Sequence, residues 1–191
     1  QTLRDDLGAL RGKPIVDEEI RASIAVYNEN RKAIRDLYTY RAQKPWQAPT
    51  SEVYLVLRAG CVLPPEEHTR LVRDYLREAE LKQRPRRDNA RVVMTGSFCE
   101  QPPLNLIKSI EMAGCYVVDD EFTLSFRWLM DDVGTDGDPL EQLSKAFLHR
   151  SAQSSSKYDE RKEDKGKHLL HQVKTRGAEG VVFAAPSFCD P

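Results

Sequence analysis

Two turns of almost the same design carry the residues best able to do chemistry. In one, Val92-Val93-Met94 runs into Gly96-Ser97-Phe98-Cys99-Glu100-Gln101-Pro102-Pro103; in the other, Val181-Val182-Phe183-Ala184 runs into Pro186-Ser187-Phe188-Cys189-Asp190-Pro191. Each is an apolar, strand-like run followed by Ser-Phe-Cys, an acidic residue and proline. A cysteine thiolate suits iron–sulfur clusters or zinc. The neighbouring Phe98 and Phe188 would exclude water and help set a cluster's potential. The competing reading is that each thiol is a small buried hydrophobe. The shared turn favours ligation, first for Cys189 and second for Cys99. There is no local Cys-x-x-Cys pair, so a metal site would be assembled from distant segments, including some outside this sequence.

Asp119-Asp120-Glu121 follows a second apolar run, Cys115-Tyr116-Val117-Val118. These carboxyls either cap the next helix or supply a proton beside a ligand. Cys115, inside a strand, reads as core packing, and so does Cys61 in Ala59-Gly60-Cys61-Val62-Leu63. His168 and His171 stand three apart on a helix and could form a metal pair, but the charged residues around them mark a solvated surface. Neither Gly-x-Gly-x-x-Gly nor a Walker A pattern occurs, so nothing here points to a phosphate loop.

The elements that must position these residues fall into two groups. Residues 1–16 read as a loop broken by Gly8, Gly12 and Pro14. Asp17 offers an N-cap, and Ile20, Ile24, Tyr27, Ile34 and Leu37 recur at helical spacing to about Gln43. A short helix over 52–59, capped by Thr50 or Ser51, ends at Gly60. Pro64-Pro65-Glu66-Glu67 opens another, which runs into the basic tract Lys82-Gln83-Arg84-Pro85-Arg86-Arg87, read as a solvated linker rather than a phosphate-binding patch. From Arg91 onward strands alternate with helices: 92–94, then Leu104 to Gly114, then 115–118, a short helix over 124–130, a helix capped by Asp138, and a charged helix ending before 181–184. That alternation predicts an α/β fold with a parallel Rossmann- or flavodoxin-like sheet, three-stranded in this chain, behind an N-terminal helical segment. The expected division is 1–88, a helical segment linking from a further N-terminal domain, and 89–191, an α/β cluster-binding domain cut short at its C-terminus. In such sheets ligands sit outside the carboxyl ends of the strands, where Cys99, Asp119–Glu121 and Cys189 are all expected.

The bulk numbers set bounds. A chain of 191 residues can bury about 70% of its unfolded surface. Its formal net charge of −1, with 31% charged residues, provides no basic field for nucleic acid. No apolar run approaches a membrane span. The 4 cysteines suit neither a disulfide scaffold nor a zinc finger, which makes a reducing cytoplasm the expected setting. The start at Gln1 and the stop after the Cys189 turn read as a piece of a longer polypeptide.

Several strings together are specific: Arg58-Ala59-Gly60-Cys61-Val62-Leu63-Pro64-Pro65-Glu66-Glu67-His68, Gly96 through Pro103, Gly114 through Asp120, Thr135-Asp136-Gly137-Asp138-Pro139, and Phe183 through Pro191. On these the chain resembles the benzoyl-CoA reductase / 2-hydroxyacyl-CoA dehydratase family over almost its whole length. The resemblance implies a [4Fe-4S] cluster held by three cysteines. Cys189 matches the ligand nearest the family's C-terminus, Cys99 is a second candidate, and the first ligands are expected upstream of Gln1. It further implies an oxidoreductase subunit taking part in the ATP-dependent, two-electron dearomatisation of benzoyl-CoA to cyclohexa-1,5-diene-1-carbonyl-CoA. Implied partners are a homologous cluster-binding subunit, an ATPase pair that binds the ATP and activates the electron, and ferredoxin as donor, in an anaerobic setting. Glu100 and Asp119 are the carboxyls considered as proton donors. The alternatives are a 2-hydroxyacyl-CoA dehydratase component, which the Cys99-Glu100-Gln101-Pro102-Pro103 string disfavours, and a non-catalytic structural subunit of the same complex.

Overall fold

The computed structural model describes residues 2–96, 102–122, 131–150 and 166–185. The short helix expected over 124–130 lies outside the described residues. The element order is α1 (Thr2–Leu10), α2 (Asp17–Gln43), α3 (Thr50–Ala59), α4 (Pro65–Leu81), β1 (Ala90–Thr95), α5 (Leu104–Met112), β2 (Cys115–Asp120), α6 (Pro139–Arg150), α7 (Lys167–Arg176) and β3 (Gly180–Phe183).

The N-terminal stretch corrects one expectation: α1 is a helix, not a loop. Glycine in a helix costs only about 1 kcal/mol, and tertiary ties outweigh it. Arg4 donates to the Ile15 carbonyl and to Asp17, both at 2.7 Å, which folds α1 back against the start of α2. Gly12, at φ 76°, makes the turn between them. The cap of α2 is Val16 rather than Asp17, and Glu19 reaches back to accept from the Val16 N–H at 3.1 Å. Its bonds to Arg11 and to that amide hold the Glu19 carboxyl down at about 2.

The apolar stripe of α2 then buries against α3 and α4. Ala33, Ile34, Leu37 and Tyr38 pack with Val53, Leu57 and Val72 in one core. At its edge His68 is enclosed: Nδ1 is 3.0 Å from Asn30 Nδ2 and Nε2 is 3.0 Å from the Val56 carbonyl. Because a carbonyl only accepts, Nε2 carries the proton and Nδ1 accepts from Asn30. A Cβ on Gly60 would lie 2.7 Å from the imidazole, so this glycine leaves room for the ring.

The sheet is three-stranded and parallel, in the order β2-β1-β3. A second core lies on one of its faces. Val92, Met94 and Val117 from the strands pack with Ile107 of α5, with Phe122 and with Tyr54 of α3. Tyr54 therefore joins the helical segment to the sheet, its ring edge-on to Phe122 at 5.9 Å. Thr50 does not cap a helix at Glu52; its hydroxyl donates to the Val117 carbonyl at 2.8 Å, satisfying a buried acceptor of β2, an edge strand among the described residues. At the start of β1, Arg91 donates to the Ala42 carbonyl at 2.8 Å and the Gly177 carbonyl at 2.9 Å. One guanidinium thereby holds the carboxyl ends of α2 and α7, where positive charge is favourable. None of the helices described is long and apolar enough to cross a membrane.

Burial lowers the pKa of His68, while its bond to Val56 opposes that shift. The unfolded chain takes up a proton near pH 6.5 that the folded one resists. Stability should therefore be constant above about pH 6.5 and fall as the solution is acidified below it. Urea midpoints of the full-length protein between pH 7.5 and 5.5 would show the fall, and His68→Gln should flatten that part of the profile.

Candidate functional site at the carboxyl end of the sheet

The order β2-β1-β3 puts a reversal of winding between β1 and β3, since the chain moves to one side of β1 for β2 and to the other for β3. At such a switch point the connections leave in opposite directions and open a crevice. The two cysteine-bearing segments depart from these two strands. Thr95 pairs with Phe183, and Ala184 N–H donates to the Thr95 carbonyl at 2.8 Å. At the next residue a Cβ on Gly96 would collide with the Ala184 carbonyl. Gly96 is therefore the residue that lets both segments leave side by side. The far end of the first turn is also held, because Tyr54 Oη donates to the Pro102 carbonyl at 2.9 Å. Cys99, Glu100 and Cys189 themselves lie outside the described residues.

The carboxylates of β2 are placed differently from the expectation. A register shift between Val92 and Val93 sets Asp119 opposite Val93 and Asp120 opposite Met94. Both residues are thus inside the strand rather than past its end. The extra residue of the bulge re-aims their side chains toward the helices. Asp120 Oδ2 lies 2.7 Å from Arg41 Nη2 and its Oδ1 accepts from Tyr38 Oη at 2.9 Å. Asp119 Oδ2 accepts from Arg176 Nε at 2.8 Å, with Arg41 Nη2 4.0 Å from its Oδ1. Glu121 accepts from the Thr95 hydroxyl, and its own N–H donates to the Met94 carbonyl at 3.1 Å. The cluster thus fastens the end of β2 to α2, to α7 and to the end of β1.

Arg41 is completely buried, with its guanidinium over the Tyr38 ring at 4.3 Å. Burial works against its charge, and Asp120, Tyr38 and Asp119 together outweigh that, raising its pKa. Burial likewise pushes the Asp120 carboxyl above the usual range, with Arg41 pulling it back. Sequence reasoning missed Arg41 and Arg176. A signal for the first was available: Arg41 falls on the same helical stripe as Ile34, Leu37 and Tyr38, where a charged residue needs a buried partner.

Of the other candidates, Cys115 separates from this end. Cys115 starts β2 at the opposite end of the sheet and packs partly buried against the second core, as expected. Cys61 was expected in a core and is instead exposed, because it lies in the turn after Gly60 rather than on the buried stripe of α3. His171 is exposed on α7, and no metal-ligating cluster occurs among the described residues.

Arg41→Met should leave Asp120 buried without its cation and cost about 3–5 kcal/mol. Arg41→Met combined with Asp120→Asn should recover most of that loss. A double-mutant cycle by chemical denaturation measures the coupling; strict additivity would contradict the pairing.

Comparison with known proteins supplies the family. A model described as 2-hydroxyglutaryl-CoA dehydratase, D-component, matches residues 1–191. The chain is 57% identical over 189 residues to a subunit of the benzoyl-CoA reductase of Thauera aromatica, covering 99% of this chain and 49% of that protein. It is 29% identical over 194 residues to lactoyl-CoA dehydratase subunit beta of Anaerotignum propionicum (100% and 50%). It is 26% identical over 190 residues to the (R)-phenyllactyl-CoA dehydratase beta subunit of Clostridium sporogenes (98% and 49%). The chain spans about half the length of the curated relatives it matches. Matched along its whole length by the family model, and more than half identical to a reductase subunit, this chain belongs to the family of benzoyl-CoA reductase and 2-hydroxyacyl-CoA dehydratase subunits.

Proposed function

We propose that this chain is part of the iron–sulfur C-type subunit of a benzoyl-CoA reductase. The observation that carries the reading is the 57% identity to a subunit of that enzyme over nearly the whole chain, against 25–29% for the dehydratase subunits. The fold gives physical support. The segments bearing Cys99 and Cys189 start from neighbouring strands at one end of the sheet, beside a glycine that permits the close approach. Thiolate donors on those segments fit an iron–sulfur group, with Cys189 the foremost ligand, Cys99 the second and the rest from the remainder of the chain.

The reaction adds two electrons and two protons to the aromatic ring of benzoyl-CoA and gives the cyclohexa-1,5-diene-1-carbonyl thioester. A [4Fe-4S] cluster, when bound, supplies one-electron transfer. The contribution of this chain would be to supply thiolates, each next in sequence to an apolar Phe98 or Phe188, and a wall for the aromatic ring. Plant-type ferredoxins sit near −400 mV and the lowest clusters near −700 mV. At about 59 mV per tenfold change for one electron, a gap of roughly 300 mV corresponds to about 7 kcal/mol. Ordinary coupling between sites supplies about 1–3 kcal/mol. ATP hydrolysis on a partner ATPase pair, fed by ferredoxin, fills the difference, with a homologous cluster-binding subunit completing the complex in the cytoplasm of an anaerobe. Glu100 is the better candidate of the two carboxyls for the proton donor. Asp119, ion-paired to Arg176, serves mainly to hold the strand end.

The deciding assay is the anaerobically purified full complex supplied with reduced ferredoxin, ATP and benzoyl-CoA. Ring reduction is expected; dehydration of a 2-hydroxyacyl-CoA without ring reduction would assign the chain to the dehydratase branch. Cys189→Ala should remove iron and sulfide from the subunit and abolish activity, whereas full iron content and activity in that variant would support a purely structural subunit. Gly96→Ala, by forcing the β1 and β3 exits apart, should lower iron content at least severalfold while far-ultraviolet circular dichroism stays close to that of the parent.

A further inference from the structure

At the other end of the sheet, where β1 and β2 begin, lies a groove of about 480 Å³, in the size range of small-molecule sites. It adjoins a recess of about 290 Å³, and both are lined by Pro45, Trp46, Arg87 and Tyr116. The basic tract that reads as a solvated linker forms one wall, and it is fixed in place. Arg84 is ion-paired to Glu52 at 2.7 Å and donates to the Gln47 carbonyl at 3.0 Å. Tyr116 Oη accepts from the Arg87 N–H at 2.8 Å and donates to the Arg87 carbonyl at 3.3 Å. The Arg86 guanidinium lies over the Trp46 ring, 5.1 Å from its centroid.

What these groups present is specific. Arg86, Arg87 and, across the groove on α5, Lys108 make no ion pair among the described residues. Of the carboxylates nearby, Glu111 accepts from the Ser51 N–H at 3.2 Å and Asp88 borders the recess. Proline and aromatic walls give flat, stiff apolar surface, and cations without a carboxylate partner among the described residues stand at its rim. A planar base stacks on the former, and phosphate oxygens bind the latter. We propose that the groove lined by Trp46, Arg86, Arg87, Lys108 and Tyr116 binds a nucleoside phosphate. The site lies about 20 Å, the length of a six-residue strand, from the carboxyl end of the sheet. It depends on neither the cluster nor the reductase reading. The same chemistry is offered by a free adenine nucleotide and by the 3′-phosphoadenosine end of a CoA thioester.

The test is equilibrium dialysis of the full-length subunit in its complex against adenosine 3′,5′-bisphosphate, ADP, coenzyme A and inorganic phosphate. The bisphosphate is expected to bind. The Arg87→Ala/Lys108→Ala double variant and Trp46→Leu should each weaken it at least tenfold, and Trp46→Phe should retain most of the affinity. Coenzyme A binding as tightly as the bisphosphate, in a fraction sensitive to Arg87→Ala/Lys108→Ala, supports the site and identifies a CoA tail. Tighter binding of ADP, in a fraction sensitive to Arg87→Ala/Lys108→Ala and so distinct from nucleotide held by the ATPase pair, supports it and identifies a free nucleotide. Inorganic phosphate binding as tightly as the nucleotides, affinities unchanged in all the variants, or no binding of any of the four would each overturn the proposal. In the last case, protection of Trp46 and Met112 from labelling on assembly would show a contact between subunits instead.

Discussion

The end of β2 is held by charge, and the rest of the site depends on that. A carboxylate at Asp120 with no water around it is tolerable because Arg41, itself wholly buried, lies 2.7 Å away and Tyr38 donates from the same helix. Asp119 repeats the arrangement with Arg176 from the other side of the chain. Such pairs add little net stability over an apolar core, but removing one partner is expensive, so they act mainly to specify geometry. Here they fix one register between α2, α7 and the carboxyl end of the sheet. Glu121 carries the constraint across to Thr95, the last residue of β1, and Gly96 follows it.

From that fixed edge the arrangement of the candidate site follows. Parallel strands deliver every connection at the same end, and the order β2-β1-β3 makes β1 and β3 neighbours although far apart in sequence. The crevice forms where their exits diverge. A side chain at Gly96 would force these exits apart, because the Ala184 carbonyl already occupies that space. The helical segment takes part as well: Tyr54 packs in the sheet's core and holds Pro102, so α3 anchors the return of the first turn. The opposite end of the sheet has a different chemistry, with aromatic and proline walls and cations that lack a carboxylate partner among the described residues. The two ends are suited to different kinds of ligand.

Local signals carried much of this architecture. The period of Ile24, Ile34 and Leu37 marks α2 through to Gln43, and Asp138 and Pro139 mark the start of α6 as observed, with the Leu140 N–H donating to Asp138 at 2.8 Å. The alternation of strands and helices after Arg91 implies a parallel sheet because right-handed crossovers permit little else. Where local reading failed, a distant partner had decided the matter. α1 forms despite Gly8 because Arg4 finds Asp17, and the basic tract is held because Arg84 finds Glu52. Cys61 is exposed because its turn faces away from the core that α3 builds.

The sequence by itself determined the residue types and their order: two Ser-Phe-Cys turns after apolar strands, a run of carboxylates after a third, and strings specific enough to indicate a family. Those follow from chain-local chemistry, periodicity and composition. Only the tertiary structure decided which strands are neighbours, that Gly96 meets Ala184, and that Asp119 and Asp120 are spent on arginines from helices at either end of the chain. The physical reason is that strand order and charge pairing are set by contacts between residues far apart in sequence, whose energies depend on burial and distance that no local pattern encodes.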